Sequence, residues 1–213
     1  MPVNVTLAQI QHLAPNARSS YREAFQNGQA VLDQCGISDS PLRVAHFMAQ
    51  VLHESSGLSF QIESLNYSPE RLPKVWPSRF KPVGPLDPLL FAHNQEKLGN
   101  EVYGGRMGNT GPNDGFTYRG RGLLQLTGRD SYVEATTNLR KQNAVAPDFV
   151  TTPDAVFSAQ WCLAVAAAKW ASVGCNALAD QDDIRRVTRA INGGLIGLSD
   201  RTEWLRLTKA VWP

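Results

Sequence analysis

The stretch PLRVAHFMAQVLHESSG, residues 41–57, decides the predicted fold. Ser40 can cap a helix, the proline that follows suits the first helical position, and Gly57 can end the helix. The helix would end on an ionisable pair, His53 and Glu54. Apolar side chains recur at helical spacing and form one stripe that would pack on a core: Leu42, Ala45, Met48, Ala49 and Leu52.

Helical patterns continue on both sides of this stretch. Residues 6–35 predict two short helices broken at 14–16. A further helix is predicted from Thr127 to about residue 141, because Thr127 and Asp130 resemble a capping box. Three more helices are predicted downstream: an Ala-rich one that starts at Thr152 and Pro153, one that starts at Asp180 and Asp183 and stops at Gly193 or Gly194, and one at about 200–210. The chain is therefore predicted to be mainly α-helical.

The segments between these helices carry turn-forming residues. Residues 58–100 hold several prolines, and the stretch RLPKVWPSRFKPVGPLDP, residues 71–88, is expected to be irregular. The stretch YGGRMGNTGPNDG, residues 103–115, has five glycines in thirteen residues and predicts a loop. Alternating polar and apolar residues at 116–126 predict a short strand or hairpin. The expected fold is thus helical with a small β element beside a glycine-rich loop.

Size and composition predict one domain over residues 1–213, with 1–40 as a helical part of it. The chain has 213 residues, of which 42% are hydrophobic, and a formal net charge of +2. Such a charge does not predict nucleic-acid binding. Three cysteines form no metal-like cluster, which is typical of a reducing compartment, and whether Cys162 and Cys175 pair stays open.

The N-terminus MPVNVTLAQIQHLAP lacks the basic and apolar regions of a signal peptide. The most apolar stretch, residues 155–173, is Ala-rich and carries Gln160 and Lys169. It predicts a buried helix rather than a membrane span.

Several classes of site are disfavoured by the sequence. Glycine, not histidine, stands four residues after His53, so the zinc-peptidase pattern fails. Nucleotide-binding glycine motifs and the nucleophile elbow of serine hydrolases are not found, and Cys162 lies in the most apolar helix. The four histidines are scattered: His12, His46, His53 and His93. No metal or organic cofactor is expected.

Two carboxylates remain as candidates for chemistry. Glu54 would lie in the last turn of a helix, where the helix dipole and apolar neighbours would keep it protonated as a general acid. Glu63 follows nine residues later, past the break at Gly57. Glycoside hydrolysis uses such a pair, one protonated and one ionised, although two solvated surface glutamates would give the same spacing.

Three blocks of the sequence together resemble the family 19 glycoside hydrolases, and most closely their single-domain phage and prophage endolysins. They are HESSGLSFQIESLNYSPERL (53–72), VYGGRMGNTGPNDGFTYRGRGLLQLTGRDSY (102–132) and TRAINGGLIGLSDR (188–201). They cover about a third of the chain, in the family's order. The resemblance implies a lysozyme-like, two-lobed helical fold with a cleft.

The resemblance also implies roles for individual residues. Glu54 is implied as the general acid, and Glu63 as the base that activates water. Thr127 matches a residue that helps to hold this water, although it could instead cap the helix after it. Further positions match substrate-binding or cleft residues: Gln125, Asn192, Tyr118, Arg119 and Arg121.

The implied activity is hydrolysis of the β-1,4 bond between N-acetylmuramic acid and N-acetylglucosamine in peptidoglycan. Plant chitinases of this family place the second carboxylate much further from the first, so the nine-residue spacing favours peptidoglycan over chitin. A chitinase, a lytic transglycosylase and a non-catalytic glycan-binding module stay as alternatives. We expect a monomer without a separate wall-binding module, whose partners are glycan strands rather than nucleic acid or membrane. It would be held in the bacterial cytoplasm until another route releases it to the wall.

Overall fold

The computed structural model describes all of residues 1–213 and confirms the mainly helical prediction. Two short 3₁₀-helices, Pro88–Leu90 and Pro153–Phe157, accompany twelve α-helices. In chain order the α-helices are α1 (Leu7–Leu13), α2 (Ser19–Gln26), α3 (Gln29–Gln34), α4 (Pro41–Glu54), α5 (Leu72–Val75), α6 (Gln95–Tyr103), α7 (Asp114–Thr117), α8 (Arg129–Gln142), α9 (Cys162–Ser172), α10 (Cys175–Asp180), α11 (Ile184–Asn192) and α12 (Leu198–Val211).

The chain forms two compact units. The first unit comprises residues 1–61, 121–125 and 133–213, and the second comprises residues 62–120 and 126–132. Helix α8 therefore begins in the second unit and continues in the first.

Helix α4 is the central element of the first unit. It begins as predicted, because the Ser40 hydroxyl accepts the backbone N–H of Arg43 at 3.2 Å. Its residues 44–52 are all buried, and Phe47 meets Trp170 of α9 edge to face, with ring centroids 5.5 Å apart. After Glu54 the backbone turns through positive φ, with +65° at Gly57, so the predicted helix stop is confirmed.

The N-terminal part differs from the prediction. Three helices, α1 to α3, replace the two expected, because the chain breaks again at Asn27 and Gly28. A Cβ at Gly28 would clash with Leu163 Cδ2 and would lie 2.5 Å from the Ala24 carbonyl oxygen. Only glycine permits this close approach of the backbone to α9.

The second unit has its own small core. Phe80 and Phe91 meet edge to face with centroids 5.4 Å apart, and four more side chains are buried with them: Leu65, Leu72, Leu98 and Val102. Helices α6 and α7 approach closely, since a Cβ at Gly115 would clash with the Gly99 carbonyl oxygen. Much of 71–88 is irregular as expected, apart from the four residues of α5.

The predicted strand at 116–126 is wrong. This segment holds the end of α7 followed by turns, and its only β character is single bridge residues at Arg121 and Leu126. Gly122 has φ +78° and Gln125 has φ +46°, which extended strands do not allow. The alternation was misleading because nearly every residue of the segment is at least half-buried.

The capping box at Thr127 is also out of register. Helix α8 begins at Arg129, two residues later. The glycine-rich loop satisfies its first backbone donors: Arg129 N–H donates to Asn109 Oδ1 at 2.9 Å, and Asp130 N–H to the Met107 carbonyl at 3.1 Å. This loop therefore organises the start of α8.

The C-terminal helices follow the predictions with two changes. The Ala-rich helix α9 begins only at Cys162, after a 3₁₀ turn, and α10 was not predicted. Asp183 caps α11 by accepting the N–H of Arg186 at 2.9 Å, and Gly193 ends it with φ +72°. All three cysteines are buried free thiols, and no helix has the length and apolar character needed to cross a membrane.

His46 of α4 makes stability depend on pH. Its side chain is fully buried, with Nε2 2.8 Å from Asp182 Oδ1 and Nδ1 without a hydrogen-bond partner. Burial lowers the pKa of His46, although the hydrogen bond to Asp182 opposes the shift. As pH falls, this histidine therefore takes up a proton at a higher pH in the unfolded chain than in the folded chain. The stabilisation that comes from keeping His46 neutral is present above about pH 6.5 and is lost progressively below it.

We expect the free energy of unfolding to fall between about pH 7 and pH 5, by up to roughly 1.4 kcal/mol per pH unit from this group. His46→Gln should flatten this slope, because its amide does not titrate but can still donate to Asp182. Urea unfolding at several pH values measures the effect. Equal slopes in both proteins would contradict the assignment to His46.

Candidate active site

Glu54 ends α4 and forms a salt bridge with Arg201 of α12, whose Nη2 donates to Glu54 Oε1. The Arg201 side chain is 2% exposed and that of Glu54 15%. The expected apolar neighbours and helix dipole are therefore not the whole environment of Glu54, because a buried cation lies against it. A charge-assisted hydrogen bond of this kind fixes the orientation of the carboxylate.

Arg201 is itself held by other buried groups. Its Nη1 donates to Gln50 Oε1, and its Nε donates to the Ile196 carbonyl at 3.3 Å. Gln50 lies one helical turn before Glu54 and donates to Thr188 Oγ1 of α11 at 3.5 Å. We call these four side chains, Glu54, Arg201, Gln50 and Thr188, the Glu54 cluster. Buried polar groups linked in this way give the carboxylate one preferred position.

His53 attaches the loop after α11 to the end of α4. Its Nδ1 lies 2.5 Å from Asp200 Oδ2. A Cβ at Gly197 would clash with the His53 ring, so this loop contacts the ring directly. No group of three or more histidine, cysteine, aspartate or glutamate side chains is arranged to hold a metal ion. His53 thus acts as a packing and hydrogen-bonding partner next to Glu54.

Glu63 is a half-buried carboxylate of the second unit, and both of its oxygens accept hydrogen bonds. The Tyr103 hydroxyl donates to Oε1 at 2.7 Å, and the backbone N–H of Gly120 donates to Oε2 at 3.2 Å. The backbone N–H of Glu63 in turn donates to the Gly120 carbonyl at 2.8 Å. We call Glu63, Tyr103 and Gly120 the Glu63 cluster. Its donors fix the orientation of the carboxylate without a cation.

Tyr103 remains a hydrogen-bond donor at any pH of interest. Burial raises the pKa of its hydroxyl far above the ordinary value, and the negative charge of Glu63 raises it further. Burial likewise raises the pKa of Tyr67, with Glu63 as the second cause. Both phenols therefore stay neutral beside the carboxylate.

The other predicted site residues divide between the two units. In the first unit, Asn192 is exposed at the end of α11. Gln125 Nε2 donates to the Gly122 carbonyl at 2.9 Å, and Arg121 is buried in a salt bridge of 2.8 Å with Asp154. The charge of Arg121 is therefore paired with a carboxylate inside the fold.

In the second unit, Thr127 is half-buried just before α8, and its carbonyl accepts the Ser131 hydroxyl at 2.8 Å. Tyr118 is 7% exposed and packs against Tyr132, with ring centroids 5.2 Å apart. Arg119 stacks over the Phe116 ring at 3.9 Å. Tyr118 is therefore mainly a packing residue, whereas Thr127 shares the unit of Glu63.

Sequence reasoning did not assign roles to Arg201 and Tyr103. Both residues lie inside the blocks that carry the family resemblance, in the segments LSDR and VYGGR. A charged or phenolic residue inside such a block was the available signal. The folded chain brings them to carboxylates 147 and 40 positions away.

Comparison with known proteins decides the family. No family model matches the chain. A curated protein of Haemophilus influenzae, described as a glycosyl hydrolase family 19 domain-containing protein, is 33% identical over 184 residues, which are 85% of this chain and 86% of that protein. The chain belongs to glycosyl hydrolase family 19. It is thus a family 19 glycoside hydrolase, and the predicted family is confirmed.

Solved structures agree on the fold of this family 19 chain. Chitinase C from Streptomyces griseus matches with a TM-score of 0.62 and 16% identity, over 99% of this chain and 93% of that one. A second bacterial family 19 chitinase matches with a TM-score of 0.54 and 20% identity, over 96% and 94% of the two chains. The mainly α, lysozyme-like fold class is therefore confirmed.

Tyr103→Phe should test the Glu63 cluster. Phenylalanine keeps the ring but removes the hydroxyl that donates to Glu63, and a hydrogen bond to a charged group contributes about 1.5–3 kcal/mol. We expect kcat on the enzyme's glycan substrate to fall by roughly tenfold or more, with little change in KM. Tyr67→Phe is the matched control, because Tyr67 makes no hydrogen bond to Glu63. An unchanged kcat in Tyr103→Phe would show that this donor does not assist the reaction.

Proposed function

We propose that this family 19 enzyme hydrolyses the β-1,4 bond between N-acetylmuramic acid and N-acetylglucosamine in peptidoglycan, with inversion at the anomeric carbon. The observation that carries the proposal is that Glu54 and Glu63 are each held in one orientation by hydrogen-bond donors, and their roles as acid and base follow the family resemblance. Glu54 contacts a buried guanidinium, whereas Glu63 contacts only neutral donors. Their nine-residue separation supports peptidoglycan rather than chitin as the substrate.

In the proposed reaction Glu54 is the general acid. It donates its proton to the glycosidic oxygen as the bond from that oxygen to the anomeric carbon breaks. Negative charge then develops on the Glu54 carboxylate. Arg201 is already placed to stabilise this charge by donating a hydrogen bond to the carboxylate, so no reorganisation is needed at the moment of bond cleavage. Gln50 and Ile196 hold the guanidinium in position while this happens.

Glu63 is the proposed general base. It takes a proton from a water molecule whose oxygen bonds to the anomeric carbon on the face opposite to the leaving group. An inverting mechanism requires about 6.5–9.5 Å between the two carboxyl groups, which leaves room for this water. One water is consumed per bond, and exchange of one proton with solvent returns both glutamates to their starting states. Thr127 is proposed to help hold the water, with Gln125 and Asn192 binding the sugar.

The proposal extends to the partner and the place of action. The partner is the peptidoglycan glycan strand, and the enzyme acts as a monomer without metal or cofactor. Bacterial lysis, with release to the wall by a separate route, is the setting that the endolysin resemblance favours.

Mass analysis of digested walls tests the proposal. Purified peptidoglycan should yield saccharide–peptide fragments that have each gained one water at a newly formed muramic acid end. Anhydro-muramic products would indicate a lytic transglycosylase instead, and no release of any fragment would leave only glycan binding.

A chitinase is the second candidate, because both solved structures reported above are chitinases. Release of soluble sugar from colloidal chitin, compared with clearing of bacterial walls, separates the two activities. Faster release from chitin than from walls would favour the chitinase.

A further inference from the structure

The exposed face of α11 carries a basic stripe that the proposed chemistry does not use. Arg185, Arg189 and Asn192 are all exposed, and their spacing of four and then three residues places them on one side of the helix. The buried residue Val187 lies on the opposite side, and the buried residue Thr188 lies at the edge of the exposed face. We define Arg185 and Arg189 as the α11 arginine stripe, which leads towards the predicted substrate-binding residue Asn192.

The acidic residues near this stripe are committed elsewhere. Asp180 pairs with Arg43 at 2.7 Å, and Asp182 bonds His46 and Lys209. Asp183 caps α11, and its side chain approaches Arg186 rather than the stripe. Arg185 and Arg189 form no salt bridge and no side-chain hydrogen bond in the structure. Two guanidinium groups are thus presented to solvent without a counter-charge.

Helix stability does not account for the presence of both charges together. Like charges four residues apart destabilise a helix. Arg185 also lies in the first turn of α11, where the helix dipole disfavours a cation. Arg189 lies in the last turn, where the dipole favours a cation, so it is Arg185 and the repulsion between the two arginines that oppose the local preference of the helix, which is consistent with a ligand outside the chain.

The position of the stripe connects it with the Glu54 cluster. Helix α11 supplies the buried Thr188 to that cluster. The loop that begins after Asn192 reaches His53 through Gly197 and Arg201 through the Ile196 carbonyl. A glycan strand bound at Asn192 would therefore lie next to the α11 arginine stripe.

We propose that the α11 arginine stripe binds carboxylates on the stem peptides of peptidoglycan and so selects this anionic polymer over neutral chitin. The inference rests on the proposed function. Arginine suits the role because its planar guanidinium binds a carboxylate through two parallel hydrogen bonds. The contacts are exposed, so their contribution should weaken as ionic strength rises.

The test uses R185Q/R189Q on peptidoglycan from which phosphate polymers have been removed with hydrofluoric acid. Glutamine is a good helix former and removes only charge. We expect kcat/KM at low ionic strength to fall about fivefold, mainly through KM, and its salt dependence to weaken. Lys141→Gln, at an exposed cation near the end of α8 in the same unit, is the matched control and should match the wild type.

Chemical modification of the wall separates the possible anions. Walls are first acetylated on their free amines, and half of the sample is then amidated on its carboxylates. The difference in kcat/KM between the wild type and R185Q/R189Q should disappear when the amidated walls are the substrate. A difference in kcat/KM that persists on amidated walls would overturn the inference in favour of another anion. A difference that is seen only on walls not treated with hydrofluoric acid would do the same.

Failure of the inference can be told apart from failure of the proposed function. If the wild type releases nothing from peptidoglycan, the proposed function fails. Sedimentation with walls then still measures what the stripe contributes to binding, by comparing the E54Q protein with and without the two arginine substitutions. Equal binding or equal rates with and without the arginines would overturn the inference.

Discussion

Glu54→Gln should lower kcat on peptidoglycan by about a hundredfold or more. Glutamine keeps the shape of the side chain but has no proton to give to the leaving oxygen. Its amide oxygen can still accept from Arg201, so the Glu54 cluster should stay assembled and wall binding should persist. Turnover measured by release of reducing sugar, together with wall sedimentation, checks both parts of this expectation.

The control for this variant is Glu203→Gln. Glu203 also pairs with an arginine of α12, Arg206, at 2.7 Å, but at an exposed position remote in sequence from Glu54. The Glu203→Gln protein should keep wild-type turnover. If Glu54→Gln lost less than about tenfold while remaining folded, Glu54 could not be the general acid.

Glu63→Gln is the second large expected effect. The amide introduced there can turn so that its oxygen accepts from Gly120 while its nitrogen donates to the Tyr103 oxygen, so we expect the fold to be kept. Without a base to deprotonate water, kcat should fall by about a hundredfold. Azide carries its own negative charge and needs no base, so it should restore cleavage and yield a glycosyl azide of inverted configuration.

The control here is Glu101→Gln, since Glu101 lies in the same unit and pairs with Arg79 at 3.0 Å. If Glu63→Gln kept near-normal turnover while Glu54→Gln was inactive, the general base would have to be a different carboxylate. Asp114 would be tested first. Its Oδ2 already accepts the N–H groups of Thr110 and Gly111, at 3.0 and 2.8 Å, which favours a loop-holding role.

Local rules predicted the elements whose signals lie within a few residues. The cap at Ser40, the stripe of α4 and the stop at Gly57 were all readable. For α11 the sequence offered Asp180 or Asp183 at the start and Gly193 or Gly194 at the end, and the structure uses Asp183 and Gly193. The strand at 116–126 was mispredicted because alternation describes burial only in extended backbone. Here Gly122 and Gln125 turn the chain through positive φ.

The carboxylates could be selected from the sequence, but their partners could not. Arg201 approaches Glu54 only because α12 packs along α4, with the Thr208 hydroxyl donating to the Ala45 carbonyl at 2.9 Å. Tyr103 reaches Glu63 from the end of α6. Contacts of this kind depend on tertiary packing, and no local pattern encodes them. The assignment of Glu54, Glu63 and Thr127 to catalysis, and of the whole chain to one catalytic domain, stays a prediction.

The stereochemistry of the first product tests the central claim most directly. A soluble, uncrosslinked peptidoglycan oligomer is digested while proton NMR follows the newly formed reducing end during the first minutes, before mutarotation. The account predicts an α-anomer on N-acetylmuramic acid, because water attacks from the face opposite to the leaving group. A β-anomer released first, or a product without a reducing end, would contradict it.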